Sequence, residues 1–144
     1  MPLSDFLSPE AIVPALKCNS KKQALQELAQ RAAALTGLGE REIFETLLQR
    51  ERLGSTGIGR GIAIPHGKLA KLDQLFGLFA RFEKPVDLVF VLLAPETAGA
   101  DHLKALARVA RILRDPSVTQ MLRITREPAA LYALLVDTAT PNAA

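Results

Sequence analysis

Apolar residues recur at helical spacing in two blocks near the start of the chain. Ser20 and Gln23 make a capping-box start, and Ala24, Leu25, Leu28, Ala32 and Leu35 follow at helical intervals, so the pattern predicts a helix from about Lys21 to Leu35. Gly37 and Gly39 stop it. A second helix is predicted from Glu40 to about Arg52, with Ile43, Phe44, Leu47 and Leu48 on one face and Gly54 ending it. Ahead of both, Ile12, Val13 and Leu16 predict a short strand, which Pro14 makes an edge strand or an irregular one. Further on, Ile62–Ile64 reads as a brief strand, with Gly67 allowing a turn straight after His66. Leu75–Phe82 and Val86–Leu93 are apolar runs. The second is almost unbroken, as in a strand buried on both faces of a helix-covered sheet. A third helix starts near Asp101, with Leu103, Leu106, Ala107, Ala110 and Leu113 at helical spacing. Asp115-Pro116 caps a short helix to about Arg123, with Val118, Met121 and Leu122 inward, and a last helix opens between Thr125 and Pro128 and runs through Asp137. Residues from Thr138 on are expected to fray.

These elements predict a central sheet covered by helices, in one domain spanning residues 1–144. At 144 residues and 49% hydrophobic content the chain has material for one core. The only cysteine is Cys18, so no internal disulfide can form, and a reducing, cytoplasmic setting is expected. Asp5 and Glu10 stand where a signal peptide would be basic and then apolar, and no apolar run is long enough to cross a bilayer, so no membrane insertion is expected. The net charge is +3, but Lys and Arg are spread along the chain among Asp and Glu, which argues against a nucleic-acid surface.

The chemistry concentrates between Arg50 and Leu69. Gly54, Gly57, Gly59 and Gly61 precede a short apolar run that ends on Pro65 and His66, one of two histidines. Such a glycine density points to positive φ or a close backbone approach, and freed N–H groups can form a nest for phosphate oxygens. The dinucleotide fingerprint fails, because Ile62 stands at the sixth position counted from Gly57 and a helix precedes the loop. The P-loop fails as well, because Ile62 replaces its first-to-sixth glycine spacing and Leu69 follows Lys68. Ser55 lacks the strand-to-helix elbow of serine hydrolases. Two histidines and one cysteine, with carboxylates at no ligand spacing, make a metal site unexpected, and no cofactor is expected.

Gly54-Ser55-Thr56-Gly57-Ile58-Gly59 followed by Gly61-Ile62-Ala63-Ile64-Pro65-His66-Gly67-Lys68 closely resembles the active-site signature of the phosphotransferase-system IIA proteins of the mannitol, fructose and nitrogen-related class. Ser20-Lys21-Lys22, Arg50-Glu51, the run Pro85–Pro95 and His102-Leu103 fall where that class has counterparts, so the resemblance covers most of the chain. The ending Gly67-Lys68-Leu69 and the lack of attached IIB or IIC segments make it most similar to the nitrogen regulatory IIA. One departure stands out: Lys84 alone bridges Phe82-Glu83 and Pro85-Val86, where relatives have a longer connection, which leaves the strand count near the sheet edge open.

The resemblance implies an α/β fold, a mixed sheet flanked by helices on both faces; it implies that His66 is the phosphorylated nucleophile, that Arg50 supplies a guanidinium fork for phosphate oxygens and that His102 hydrogen-bonds the phosphoryl group or its neighbour. It implies a phosphate-binding loop of Gly54, Ser55, Thr56, Gly57, Gly59 and Gly61. The implied donor is a small histidine phosphocarrier, and the implied targets are transporters or sensor kinases regulated by the phosphorylation state. A sugar-specific IIA handing phosphate to a IIB partner is the alternative within the class, and a nucleotide-binding module using the glycine loop is the alternative outside it. For the partner face, Ile58 and Leu69 are the apolar candidates, with Arg60 and Lys68 as a positive rim.

Overall fold

The computed structural model describes residues 2–82 and 88–139, the side chains of 138 and 139 excepted. A 3-10 turn at Leu3–Asp5 leads into β1 (Leu7–Leu16), then α1 (Lys21–Thr36) and α2 (Glu40–Leu53). Three short strands follow, β2 (Gly57–Gly59), β3 (Ile62–Ala63) and β4 (His66–Leu69). The long pair β5 (Phe76–Phe82) and β6 (Leu88–Pro95) comes next, and α3 (Ala100–Leu113), α4 (Pro116–Ile124) and α5 (Pro128–Ala139) complete the described chain. The sheet order is β1-β5-β6-β3-β2, with β4 also pairing β6. It is mixed: β5 runs antiparallel to β6, while β3 and β4 run parallel to it and β1 runs parallel to β5.

All eight residues of β6 are buried. Successive side chains of a strand point to opposite faces, so both faces of the sheet are covered there. One layer is the α1–α2 pair, with α2 packed on β4; the other is α3, α4 and α5, with α5 packed on β1. Ser20 caps α1 by accepting from the Gln23 N–H, and Gly37 ends it at φ 78°. Asp115 caps α4 ahead of Pro116. β1 lies at the edge of the sheet, as Pro14 requires, but extends from Leu7, well before the expected Ile12.

Several expectations are corrected. Gly67 makes no turn; it lies inside β4, and a Cβ there would fall 2.5 Å from the Thr46 Cγ2 of α2, so glycine lets that helix rest on the strand. Helix α3 is rotated from the expected face. Leu113 is buried as expected, but Ala105, Val109 and Ile112 point in with His102 while Leu103 is 68% exposed, because the small Ala105 and the branched Val109 and Ile112 suit close packing on the sheet. Met121 is exposed, leaving Val118 and Leu122 as the inward residues of α4. Helix α5 continues to Ala139, past the predicted end. The short Glu83–Pro85 connection falls in 83–87, outside the described residues.

The glycine stretch forms a hairpin. Gly57 pairs with Ala63 and Gly59 with Ile62, and the two residues between, Arg60 and Gly61, have φ of 56° and 77°. Positive φ at both central positions is the type I′ geometry whose twist matches the flanking strands. The tip is pinned: the Arg123 guanidinium donates to the Arg60 carbonyl, and Arg81 donates to the carbonyls of Arg123 and Pro14.

Gly77 carries the tightest constraint in the core. Its N–H donates to the Phe6 carbonyl at 2.7 Å, and a Cβ would lie 2.8 Å from Phe90 Cζ and 3.1 Å from the Phe6 oxygen. Phe90 is fully buried and its ring packs edge-on against Phe6 at 6.3 Å. Gly77→Ala should therefore lower unfolding stability by about 1–3 kcal/mol through overpacking, read as a lower midpoint in urea with the slope unchanged.

Candidate active site

The last turn of α2, the start of β4 and the first turn of α3 meet beside β6. Pro65 has no N–H, so the ladder that β3 begins on β6 is interrupted before β4 resumes it. At this break the Ile64 N–H donates to the Thr56 carbonyl at 3.0 Å, and the Ile64 carbonyl accepts from His66 Nδ1 at 2.8 Å. A carbonyl can only accept, so Nδ1 carries the proton and Nε2 holds the lone pair. Arg50 Nε donates toward that Nε2 at 3.3 Å, and Arg50 Nη1 is held by the Gly54 carbonyl at 2.9 Å.

His102 stands next to His66, with ring centroids 5.7 Å apart and planes at 67°. It is buried, and its Nε2 has no hydrogen-bond partner among the described residues. Burial first, then the neighbouring His66 and Lys68, hold its pKa below the ordinary histidine value. A neutral His102 keeps a donor or acceptor free at the site without adding a buried charge. Lys68 shares a strand face with His66, two residues along β4, and is exposed.

The structure brings Arg50, His66 and His102 together and divides the glycine loop between different tasks. Gly54 breaks α2 and offers its carbonyl to Arg50. The N–H groups of Thr56 and Gly57 are already taken, by Glu51 Oε1 at 3.2 Å and Ser55 Oγ at 3.0 Å. Gly59 and Gly61 belong to the hairpin tip. Ile62 pairs with Leu88 and His66 with Leu92, so the tip lies roughly 13 Å along the sheet from His66. The same placement removes Arg60 from the rim around His66. Leu69 is buried and contributes no partner surface. In their place stand Leu53, 85% exposed one turn beyond Arg50, and Leu103, 68% exposed beside His102.

Glu51 had no role in the sequence reading beyond its place in the resemblance. Its carboxylate accepts from the Thr56 N–H and hydroxyl and pairs with Lys21 Nζ at 2.7 Å, with only 6% of the side chain exposed. Burial alone would raise its pKa, but hydrogen bonds from Lys21 and Thr56 and the Lys21 charge outweigh it and hold the pKa below the usual value. The available signal was an acid in the last turn of a helix, where the dipole disfavours it. Among the described residues no three His, Cys, Asp or Glu side chains are grouped to hold a metal ion, and no helix is long and apolar enough to cross a membrane.

His66, with Nε2 facing Arg50 and its ring against His102, thus stands where α2, β4 and α3 meet on this mixed sheet. The sequence profile of the family described as phosphoenolpyruvate-dependent sugar phosphotransferase system, EIIA 2, matches residues 5–137, and the chain belongs to that family. It is similar to the nitrogen regulatory protein of Bradyrhizobium diazoefficiens, at 61% identity over 94% of this chain and 95% of that protein. It is 40% identical to the nitrogen regulatory protein of Escherichia coli K12, with 99% and 94% of the two chains covered. The crystal structure of nitrogen regulatory protein IIA-Ntr from Neisseria meningitidis matches with a TM-score of 0.87 at 33% identity, covering 92% of this chain and 98% of that one.

His102 gives a pH signature. With its folded pKa depressed, the native state binds fewer protons than the unfolded chain, so stability is lost as pH falls below about 6.5. An NMR titration of the ring carbons should place the His102 midpoint below that of an ordinary histidine, and His102→Gln should flatten the acid-side loss. A midpoint at or above the ordinary value contradicts the burial argument.

Proposed function

We propose that this chain is a phosphocarrier and regulator that accepts a phosphoryl group on His66 Nε2 from a small histidine phosphocarrier of a phosphoenolpyruvate-dependent phosphotransferase system. The observation that carries the reading is the hydrogen bond from His66 Nδ1 to the Ile64 carbonyl, which leaves Nε2 as the nucleophilic nitrogen facing Arg50. The Nε2 lone pair attacks the donor's phosphorus in line. The new N–P bond forms as the donor's N–P bond breaks, and that electron pair returns to the donor's ring nitrogen. The proton stays on Nδ1, donated to the Ile64 carbonyl throughout, and the guanidinium of Arg50 passes from Nε2 to the phosphoryl oxygens. His102, with an unengaged Nε2, is the second group within reach of those oxygens, and the amino end of α3 adds a favourable dipole.

The regulatory reading rests on relatives named nitrogen regulatory protein, which match this chain along nearly their whole length. Phosphorylation adds about −1.5 to −2 charges beside His66, by analogy with other phosphorylated side chains, so cytoplasmic targets such as a transporter or sensor kinase would distinguish the two states electrostatically. Transfer onward to a IIB partner during sugar uptake is the second reading, supported by similarity to the fructose-specific EIIABC component of Bacillus subtilis, 32% identical over 85% of this chain. A nucleotide-binding role gains no support, because the glycine stretch folds as a hairpin after a helix.

Incubation with phosphoenolpyruvate, enzyme I and the small carrier should add one phosphoryl group, localised to His66 by mass spectrometry, and His66→Ala should accept none while remaining folded. Arg50→Ala should slow transfer about 10²- to 10³-fold, the scale of losing one aimed donor to transition-state charge, while changing stability by no more than about 1 kcal/mol. A collapse in stability with an unchanged rate would make Arg50 structural. Leu53→Asp and Leu103→Asp place a charge on the apolar flanks of the site and should raise the KM for the carrier more than they lower the maximal rate; unchanged KM values would remove these leucines from the docking face.

A further inference from the structure

Glu51 follows Arg50 in the last turn of α2, and consecutive helical residues point about 100° apart, so the two side chains leave the helix in different directions. Arg50 goes to His66; Glu51 turns toward α1. There it is nearly fully buried and meets three elements at once, its own helix, Thr56 in the loop and Lys21 at the start of α1. The position is an expensive one for a carboxylate, since both burial and the carboxyl end of the helix disfavour negative charge.

The contacts continue beyond Thr56. Its N–H and hydroxyl donate to Glu51, its carbonyl accepts from the Ile64 N–H at 3.0 Å, and the Ile64 carbonyl accepts from His66 Nδ1 at 2.8 Å. An unbroken series of hydrogen bonds and one ion pair thus runs from Lys21 through Glu51, Thr56 and Ile64 to the ring of His66. Thr56 and Ile64 each engage both their N–H and their carbonyl, so the backbone of both residues is held from two sides, and the Ile64 carbonyl sets the tautomer of the imidazole.

We propose that Glu51 is a positioning residue for phosphoryl transfer, acting through Thr56 and Ile64 to hold His66 with Nδ1 protonated and Nε2 presented for attack. The proposal rests on the phosphocarrier reading for its consequence and on the hydrogen-bond series for its geometry. It assigns Lys21 the task of compensating the buried carboxylate, so the ammonium works on the catalytic side from a helix that does not touch the reacting atoms.

The test has two readouts. In single-turnover transfer from the phosphorylated carrier, Glu51→Ala should lose roughly 10- to 100-fold in rate at saturating donor, the scale seen when a partner that orients a functional histidine is removed, with the donor's KM within about twofold of wild type. Glu51→Gln retains an acceptor for Thr56 and should recover most of the rate. The second readout needs no donor: nitrogen NMR of the His66 ring should show the Nδ1–H tautomer in wild type and a mixture of tautomers in Glu51→Ala. Should Glu51→Ala fail to fold, Thr56→Val removes one link without creating a buried charge, and Thr56→Ser restores it; the expected order of rates is wild type, Ser, then Val. A folded Glu51→Ala with wild-type rate and a pure Nδ1–H tautomer overturns the proposal. Wild-type protein that takes no phosphoryl group while its ring tautomer still depends on Glu51 would instead overturn the phosphocarrier reading and leave the positioning role standing.

Discussion

The hydrogen bond between His66 Nδ1 and the Ile64 carbonyl exists because Pro65 separates the two residues. A strand that ran unbroken along β6 would spend its backbone groups on the ladder and present its side chains alternately to the two faces. Pro65 has no N–H to give, so β3 stops at Ala63, β4 starts at His66, and the peptide groups between them turn to partners off the ladder. The Pro65 carbonyl still accepts from the Leu92 N–H at 3.0 Å, which keeps the jog pressed against a strand that is buried throughout. The histidine is thus attached to a fully buried strand through a short and irregular connection, while its ring remains partly accessible.

Charge around this ring is arranged by helix ends. Arg50 sits at the carboxyl end of α2, where a cation is favoured, and His102 at the amino end of α3, where incoming negative charge is favoured. Lys68 adds a second cation, from the strand. The acid of the neighbourhood, Glu51, leaves α2 in another direction and is paired with Lys21. The Glu51 carboxylate is directed at Thr56 and not at His66. The exposed Leu53 and Leu103 lie next to Arg50 and His102.

The resemblance carried by Gly54–Lys68 pointed to His66, Arg50 and His102, and the structure brings these three side chains together. Gly54 ends α2 as the pattern predicted, but what the later glycines do was not legible, because a glycine permits several backbone states and only its neighbours choose among them. Gly59 and Gly61 serve a hairpin turn, and Gly67 the contact with Thr46. The inward face of α3 was misread for a related reason. Two apolar stripes were available on that helix, and the leucine-rich one was the stronger by composition, yet the side with Ala105 packs closer to the sheet and delivers His102 to His66.

By itself the sequence determined the local and periodic features: the helix spans with their caps at Ser20, Gly37 and Asp115, the doubly buried strand at Leu88–Pro95, the edge position of β1 and the α/β class. These follow from propensity, capping and patterning, which act over a few residues. Tertiary structure alone decided the pairing of β4 with β6, the direction in which α3 presents its face, and the series of contacts from Lys21 to His66. Each of these joins groups far apart in the chain, with Lys21 and Glu51 thirty residues from one another and His66 fifteen further on. No short-range pattern encodes such a meeting; it is fixed by which surfaces can be buried together once the sheet has formed.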